Sequence, residues 1–87
     1  MTHVVVKLVE STDFYAEIVE VKAFSTYEEA VAYVDEAYHS RMNIAKIESE
    51  EMSIEDVGEP WIEGADAFIG LGCASNMTRI SWSYHKA

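Results

Sequence analysis

The chain holds one cysteine, six lysines and arginines, and no apolar run near the length of a membrane span. Cys73 alone excludes an internal disulfide, and the expectation is a reduced, cytoplasmic protein with a buried thiol. A spanning helix needs about 20 predominantly apolar residues, so no membrane segment is expected. Met1-Thr2-His3 lacks a basic stretch, and Lys7 interrupts Val4-Val5-Val6 at once, which predicts no secretory signal. Metal-ligand spacing is missing too. His3, His39, His85 and Cys73 are the candidate ligands, and none forms a Cys-x-x-Cys or His-x-x-x-His pair. His3 and His85 would meet only if the first and last strands paired. No metal and no cofactor is expected.

Catalytic patterns are equally thin. Cys73 stands between Gly72 and Ala74 on a predicted strand, where a small core side chain explains it better than a nucleophile activated by histidine. Carboxylate pairs are unavoidable among sixteen acids and point to no acid–base chemistry. Gly70-Leu71-Gly72 lacks the third glycine and the following helix that a phosphate-binding loop requires. Space for a packed helix or an aromatic such as Trp82 accounts for the two glycines better. The chain is read as a non-enzyme.

What is present is apolar residue content and acid. With 87 residues, 49% of them hydrophobic, the chain makes one folded domain across 1–87 and not a disordered acidic tail. At ~0.05–0.15 kcal/mol per residue its stability is about 4–13 kcal/mol. Sixteen carboxylates against six basic side chains give a formal charge of -10. A field of that sign repels nucleic acid and anionic lipid and favours basic proteins as partners, although solubility alone would also explain it.

The apolar pattern predicts an α+β domain of order ββαββ, an antiparallel four-stranded sheet with one amphipathic helix on a face. Residues 3–10 read as a strand with Val4, Val6 and Leu8 on one side and Val5, Lys7 and Val9 on the other. Ser11-Thr12-Asp13 is a turn, and 14–24 a second strand with Val19, Val21 and Ala23 inward, Glu20 and Lys22 outward. The adjacent pair Ile18-Val19 breaks the alternation and predicts a bulge. Ser25/Glu28 or Thr26/Glu29 fits a capping box that opens a helix over about 26–42, with Arg41 in its last turn and Asn43 after it. Tyr27, Ala30, Val31, Val34, Ala37, Tyr38 and Met42 form its apolar stripe. The pattern then weakens from 44 to 65, where Gly58, Pro60 and Gly64 mark a loop around Trp61. Strands over 66–74 and 78–85 close the chain as a hairpin, with Ile80, Trp82 and Tyr84 on one face of the last.

One segment concentrates charge. No basic residue lies between Lys46 and Arg79, and half of the sixteen acids fall within residues 48–66. Glu48, Glu50, Glu51, Glu55, Asp56, Glu59 and Glu63, with Trp61 among them, are the candidate partner-binding residues. Carboxylates can steer a basic partner and stand in for phosphates, and a tryptophan can anchor in a pocket. The competing account is a solvated loop whose Met52, Ile54, Val57, Trp61 and Ile62 merely cover the sheet.

The stretch Val4–Glu10, then Lys22-Ala23-Phe24-Ser25-Thr26-Tyr27-Glu28-Glu29-Ala30, Val31 and Tyr33-Val34, resembles a pattern in small acidic proteins of phages and prophages. The resemblance covers about the first 40 residues and carries no functional residue. It implies a context in which such proteins inhibit host defence or nucleic-acid-processing machines, as anti-CRISPR and anti-restriction proteins do. The expectation is an acidic inhibitor, in the host cytoplasm, of a basic nucleic-acid-binding protein, acting by partial nucleic-acid mimicry. The alternatives are a non-inhibitory structural or assembly module and a small ligand-binding domain.

Overall fold

A computed structural model describes residues 2–12 and 15–87. Asp13 of the predicted turn and Phe14, the predicted start of the second strand, lie outside the described residues. The elements run β1 (His3–Ser11), β2 (Ala16–Phe24), α1 (Tyr27–Ile47), α2 (Ile54–Val57), β3 (Trp61–Glu63), β4 (Asp66–Cys73) and β5 (Asn76–Lys86). All strand pairs are antiparallel, in the order β2-β1-β5-β4-β3, so the first and last strands meet at the centre.

The sheet therefore has five strands, not the predicted four. Trp61–Glu63 pairs with Asp66–Phe68 across a turn at Gly64, whose φ of 59° lies in the left-handed region. Three residues are too few to display alternation, and the flanking Gly58, Pro60 and Gly64 make that strand read as a loop. The helix is also longer than predicted. It runs past Asn43 because Ala45 continues the buried row of Ala30, Val34 and Tyr38. Lys46, not Arg41, occupies its last turn. At its start the capping box resolves to Thr26 and Glu29. Glu29 N–H donates to Thr26 Oγ1 at 3.2 Å, and Thr26 N–H donates to Glu29 Oε1 at 3.1 Å.

The main core lies between α1 and one side of the sheet. Val5 pairs with Tyr84, Trp82 with Ala67 and Ile80 with Ile69, and α1 packs over this row. Trp82, on the central strand, is 2% exposed. Val9 packs against the same core, and Lys7 Nζ lies 5.5 Å from the Trp82 ring centroid.

Val4, Val6 and Leu8 consequently point to the far side, away from α1. The fully apolar face of β1 is thus not the one the helix covers. On β2 the expected sides are also exchanged. Phe24 pairs with His3, Lys22 with Val5 and Glu20 with Lys7, which puts them on the helix side, while Ala23 and Val21 lie on the far side opposite Val4 and Val6. Val21 is 61% exposed, and Ile18 and Val19 are exposed too. The predicted bulge is present. Lys7 faces Glu20 but Leu8 faces Ile18, which leaves Val19 without a partner in β1. Inward and outward were assigned from hydrophobicity, and at an edge strand reached by only part of the helix that criterion fails.

Candidate functional site

The acidic segment wraps around the β4 edge of the sheet, from the helix side to the far side. The turn after α1 starts it. Glu48 N–H donates to the Ile44 carbonyl and Ser49 N–H to the Lys46 carbonyl, and Ser49 takes a φ of 55° that reverses the chain. Glu50 then folds back onto the helix, where Arg41 Nη1 and Nη2 donate to its two carboxylate oxygens at 2.7 and 3.1 Å. These hydrogen bonds hold the Glu50 carboxyl below its usual range and raise Arg41.

Next, Met52 runs parallel to Gly72 at the free end of β4. Gly72 N–H donates to the Glu51 carbonyl at 2.6 Å, and Ser53 N–H donates to the Gly72 carbonyl at 3.4 Å. Met52 and Ile62 pack on the helix-side core. The chain then crosses the sheet, and α2 lies on the far side over Gly70. A Cβ at Gly70 would come within 2.7 Å of both the Val57 Cβ and its carbonyl oxygen, so glycine lets α2 seat there. Val57 is fully buried by that contact. The sequence expectation of space for a packed helix holds at Gly70. Gly72 has another role: its φ is 91° and a Cβ would strike the Asn76 carbonyl, so it shapes the β4–β5 hairpin.

The eight predicted contact residues are therefore not one surface. Glu48 is exposed at the end of α1, and Glu50 is half-buried and engaged by Arg41. Glu51 is exposed where the chain rounds β4. The structure brings Glu55, Asp56, Glu59, Trp61 and Glu63 together at the far side and β3 edge. All five are exposed, Trp61 at 47%. Trp61 pairs with Phe68, whose ring abuts Gly58 below α2, and alternation places Glu63 on the same side. Ser53 Oγ donates to Asp56 Oδ2 at 2.9 Å. Asp66, the last acid of the run, is structural, because its Oδ1 accepts from Tyr84 N–H at 2.9 Å.

Sequence reasoning missed one neighbour of this group, Arg79, and offered Ile54 only as cover for the sheet. Arg79 lies 5.5 Å from the Phe68 ring centroid, one cation beside the acidic patch. Ile54 is 57% exposed and adds apolar surface. Strict alternation on β5 put Arg79 on the far side, so its position was readable once the acidic segment was known to cross there.

The three histidines are engaged locally. His3 Nδ1 and Tyr84 Oη are hydrogen-bonded at 2.6 Å, His39 Nδ1 donates to the Asp35 carbonyl at 2.8 Å, and His85 Nε2 bonds Ser83 Oγ at 2.9 Å. His3 and His85 do come to adjacent strands, but His3 pairs with Lys86 while Val4 pairs with His85, so they take opposite faces. Among the described residues, no group of three or more His, Cys, Asp or Glu could hold a metal. Cys73 is not a core side chain. It is half-buried at the hairpin turn, with Sγ 3.3 Å from Ser75 Oγ, and hydrogen bonds from the Ser75 side chain and the backbone of Ser75 and Asn76 pull the thiol below its usual range.

Open depressions line the end of α1 (Met42, Lys46, Glu50, Met52) and the edge between β1 and the β4–β5 turn (Glu10, Thr12, Met77, Arg79). Among the described residues, no helix is long and apolar enough to cross a membrane. Comparison of the chain with protein-family models, with curated proteins and with solved structures finds no match.

Proposed function

We propose that this chain is a non-catalytic, acidic protein-binding domain that inhibits a basic nucleic-acid-binding protein by occupying part of its nucleic-acid surface. The observation that carries this reading is Trp61. It is 47% exposed on a short edge strand, flanked by exposed Glu59 and Glu63 and sharing a side of the sheet with Glu55 and Asp56 of α2. An aromatic anchor ringed by carboxylates suits a basic groove, where the ring fills a pocket and the charges set association rate and register. The net charge of -10 adds long-range attraction of the same sign. An anti-CRISPR or anti-restriction role follows from the resemblance of the first forty residues to phage-type proteins.

The test uses a panel of purified basic nucleic-acid-binding proteins of host defence systems, with binding measured by calorimetry. The variant Glu55→Lys/Asp56→Lys/Glu59→Lys/Glu63→Lys should lose binding while its melting temperature stays close to wild type, because exposed charge pairs contribute only about 0–1 kcal/mol to folding. Trp61→Ala should weaken binding by about 2 kcal/mol or more. Glu50 is left intact, since reversing it would also break its contact with Arg41. DNA or RNA should compete with the wild type for the partner. A bound partner indifferent to both variants would remove the patch from the argument.

An assembly module is the second reading, and a separate observation favours it: the bare apolar edge of β2.

A further inference from the structure

We propose that β2 is a self-complementary edge through which two copies of this chain join into one continuous ten-stranded sheet. β2 is the outer strand at its end of the sheet, nine residues long, with no proline and no glycine. Such an edge presents unpaired N–H and C=O groups and is a template for another strand. Tyr15, Ile18, Val19 and Val21 are four of the nine exposed large hydrophobic residues among those described. The side chains decide which strand would pair with it.

The bulge at Val19 sets the faces. Before it, Ile18 lies on the far side and Glu17 on the helix side. After it, Val21 lies on the far side and Lys22 on the helix side. Lys22 Nζ sits 5.2 Å from the ring centroid of Tyr33 of α1, which agrees with that placement. Now let a second β2 run antiparallel to the first about a two-fold axis between Val19 and Glu20. Ile18 then faces Val21 of the second copy on the far side, and Ala16 faces Ala23. On the helix side Glu17 faces Lys22 of the second copy.

Each pair occurs twice by symmetry, giving two ion pairs and four apolar pairs, and each of these couples shares a side of the sheet. Without the bulge, Glu17 and Lys22 would have pointed to opposite sides. Other registers do worse. Sliding the second strand by two residues sets Glu17 against Glu20 in one direction and leaves Lys22 without a carboxylate in the other. The two Glu20 side chains flank the axis, each opposite Lys7 of its own chain. The Trp61 patch lies at the other edge of the sheet, so the dimer would leave it free, and this inference does not depend on that reading.

Charge exchange tests the register directly. In sedimentation velocity over a wide concentration range, the wild type should show a concentration-dependent doubling of its 9.8 kDa mass. Glu17→Lys and Lys22→Glu should each be monomeric throughout the range where wild type dimerises, because like charges then face across the interface. Mixing the two single variants in equal amounts should restore the dimer, since each copy supplies the sign the other lacks. The double variant E17K/K22E should also restore it. All of these positions are exposed, so circular dichroism should be the same for every variant. A wild type that stays monomeric to millimolar concentration overturns the proposal. A dimer indifferent to both single variants, or one that mixing does not restore, overturns it as well and points to packing through Val4, Val6 and Leu8 instead.

Discussion

The two edges of the sheet are built differently. At the β3 edge the outer strand is three residues long, preceded by Glu59 and Pro60 and ending in Glu63. Beyond its end Met52 takes up the Gly72 backbone groups, and α2 closes over Gly70. A short strand, a proline, charge and a covering helix are all devices that keep an edge from pairing. At the β2 edge only the bulge and three charged residues are present, and Ile18 and Val21 are 60% and 61% exposed. The contrast separates two kinds of contact. The first edge can meet a partner only through side chains, Trp61 and its carboxylates. The second can also offer its backbone.

The largest expected effect comes from the strand that joins both halves. Trp82 is 2% exposed on β5, between β1 and β4, and truncating a buried aromatic costs about 3–5 kcal/mol. Against about 4–13 kcal/mol for a chain of this length, Trp82→Ala should be marginal or unfolded in urea titration. Trp82→Phe should lose much less. It keeps an aromatic ring, and it removes an indole Nε1 that is buried without a hydrogen-bond partner. Near-native stability of Trp82→Ala would mean that neither edge depends on the central packing.

A smaller change should break one edge and spare the other. Gly70→Val forces a side chain into the space held by Val57, and overpacking of this kind costs about 1–3 kcal/mol. Hydrogen exchange should show faster amide exchange across α2 and at Gly72, with β1–β2 amides unchanged by the same treatment. Uniform loss of protection in both halves would show that the sheet opens as one unit and that the contrast between edges has no energetic counterpart.

The strands and the helix were legible where periodicity runs long. Residues Val4–Val9, Tyr27–Met42 and Ile80–Tyr84 each carry enough repeats to fix element type, and the bulge announced itself as two adjacent apolar residues, Ile18-Val19. What sequence did not carry was sidedness. β1 has apolar residues on both faces, so nothing local says that Val5 and Val9 rather than Val4 and Val6 meet the helix; the register with Tyr84 and Ile80 decides it. The candidate site was half legible for a related reason. Clustering in sequence placed eight residues in one segment, but that segment rounds a sheet edge, which separates Glu48 and Glu50 from the group around Trp61. The partner of Glu50, Arg41, lies nine residues back on α1 and no short-range rule pairs them.

That ion pair gives the smallest of the expected effects, and the one that best tells a structural carboxylate from a contact carboxylate. Arg41 lowers the Glu50 pKa in the folded chain, chiefly through its hydrogen bonds to the carboxylate. A carboxyl whose folded pKa lies below its unfolded value, about 4.3 for glutamate, stabilises the fold fully above that value. The contribution is lost as pH falls through the folded pKa. Glu50→Gln should therefore melt at a lower temperature than wild type near pH 7, by less than Gly70→Val does. The two melting curves should converge as the pH falls through the lowered pKa of the folded Glu50 carboxyl, where the wild type becomes protonated there as well. Neutralising one of sixteen acids also relieves self-repulsion in a chain of charge -10, which acts in the opposite direction. Glu55→Gln, on exposed α2, supplies that second effect by itself and serves as the control. A double-mutant cycle of Arg41→Gln with Glu50→Gln then isolates the pair. A coupling that is present at pH 7 and gone at low pH would assign Glu50 to holding the turn after α1 in place. A coupling of zero at both would leave Glu50 as one more surface charge at the turn after α1, with no part in holding it.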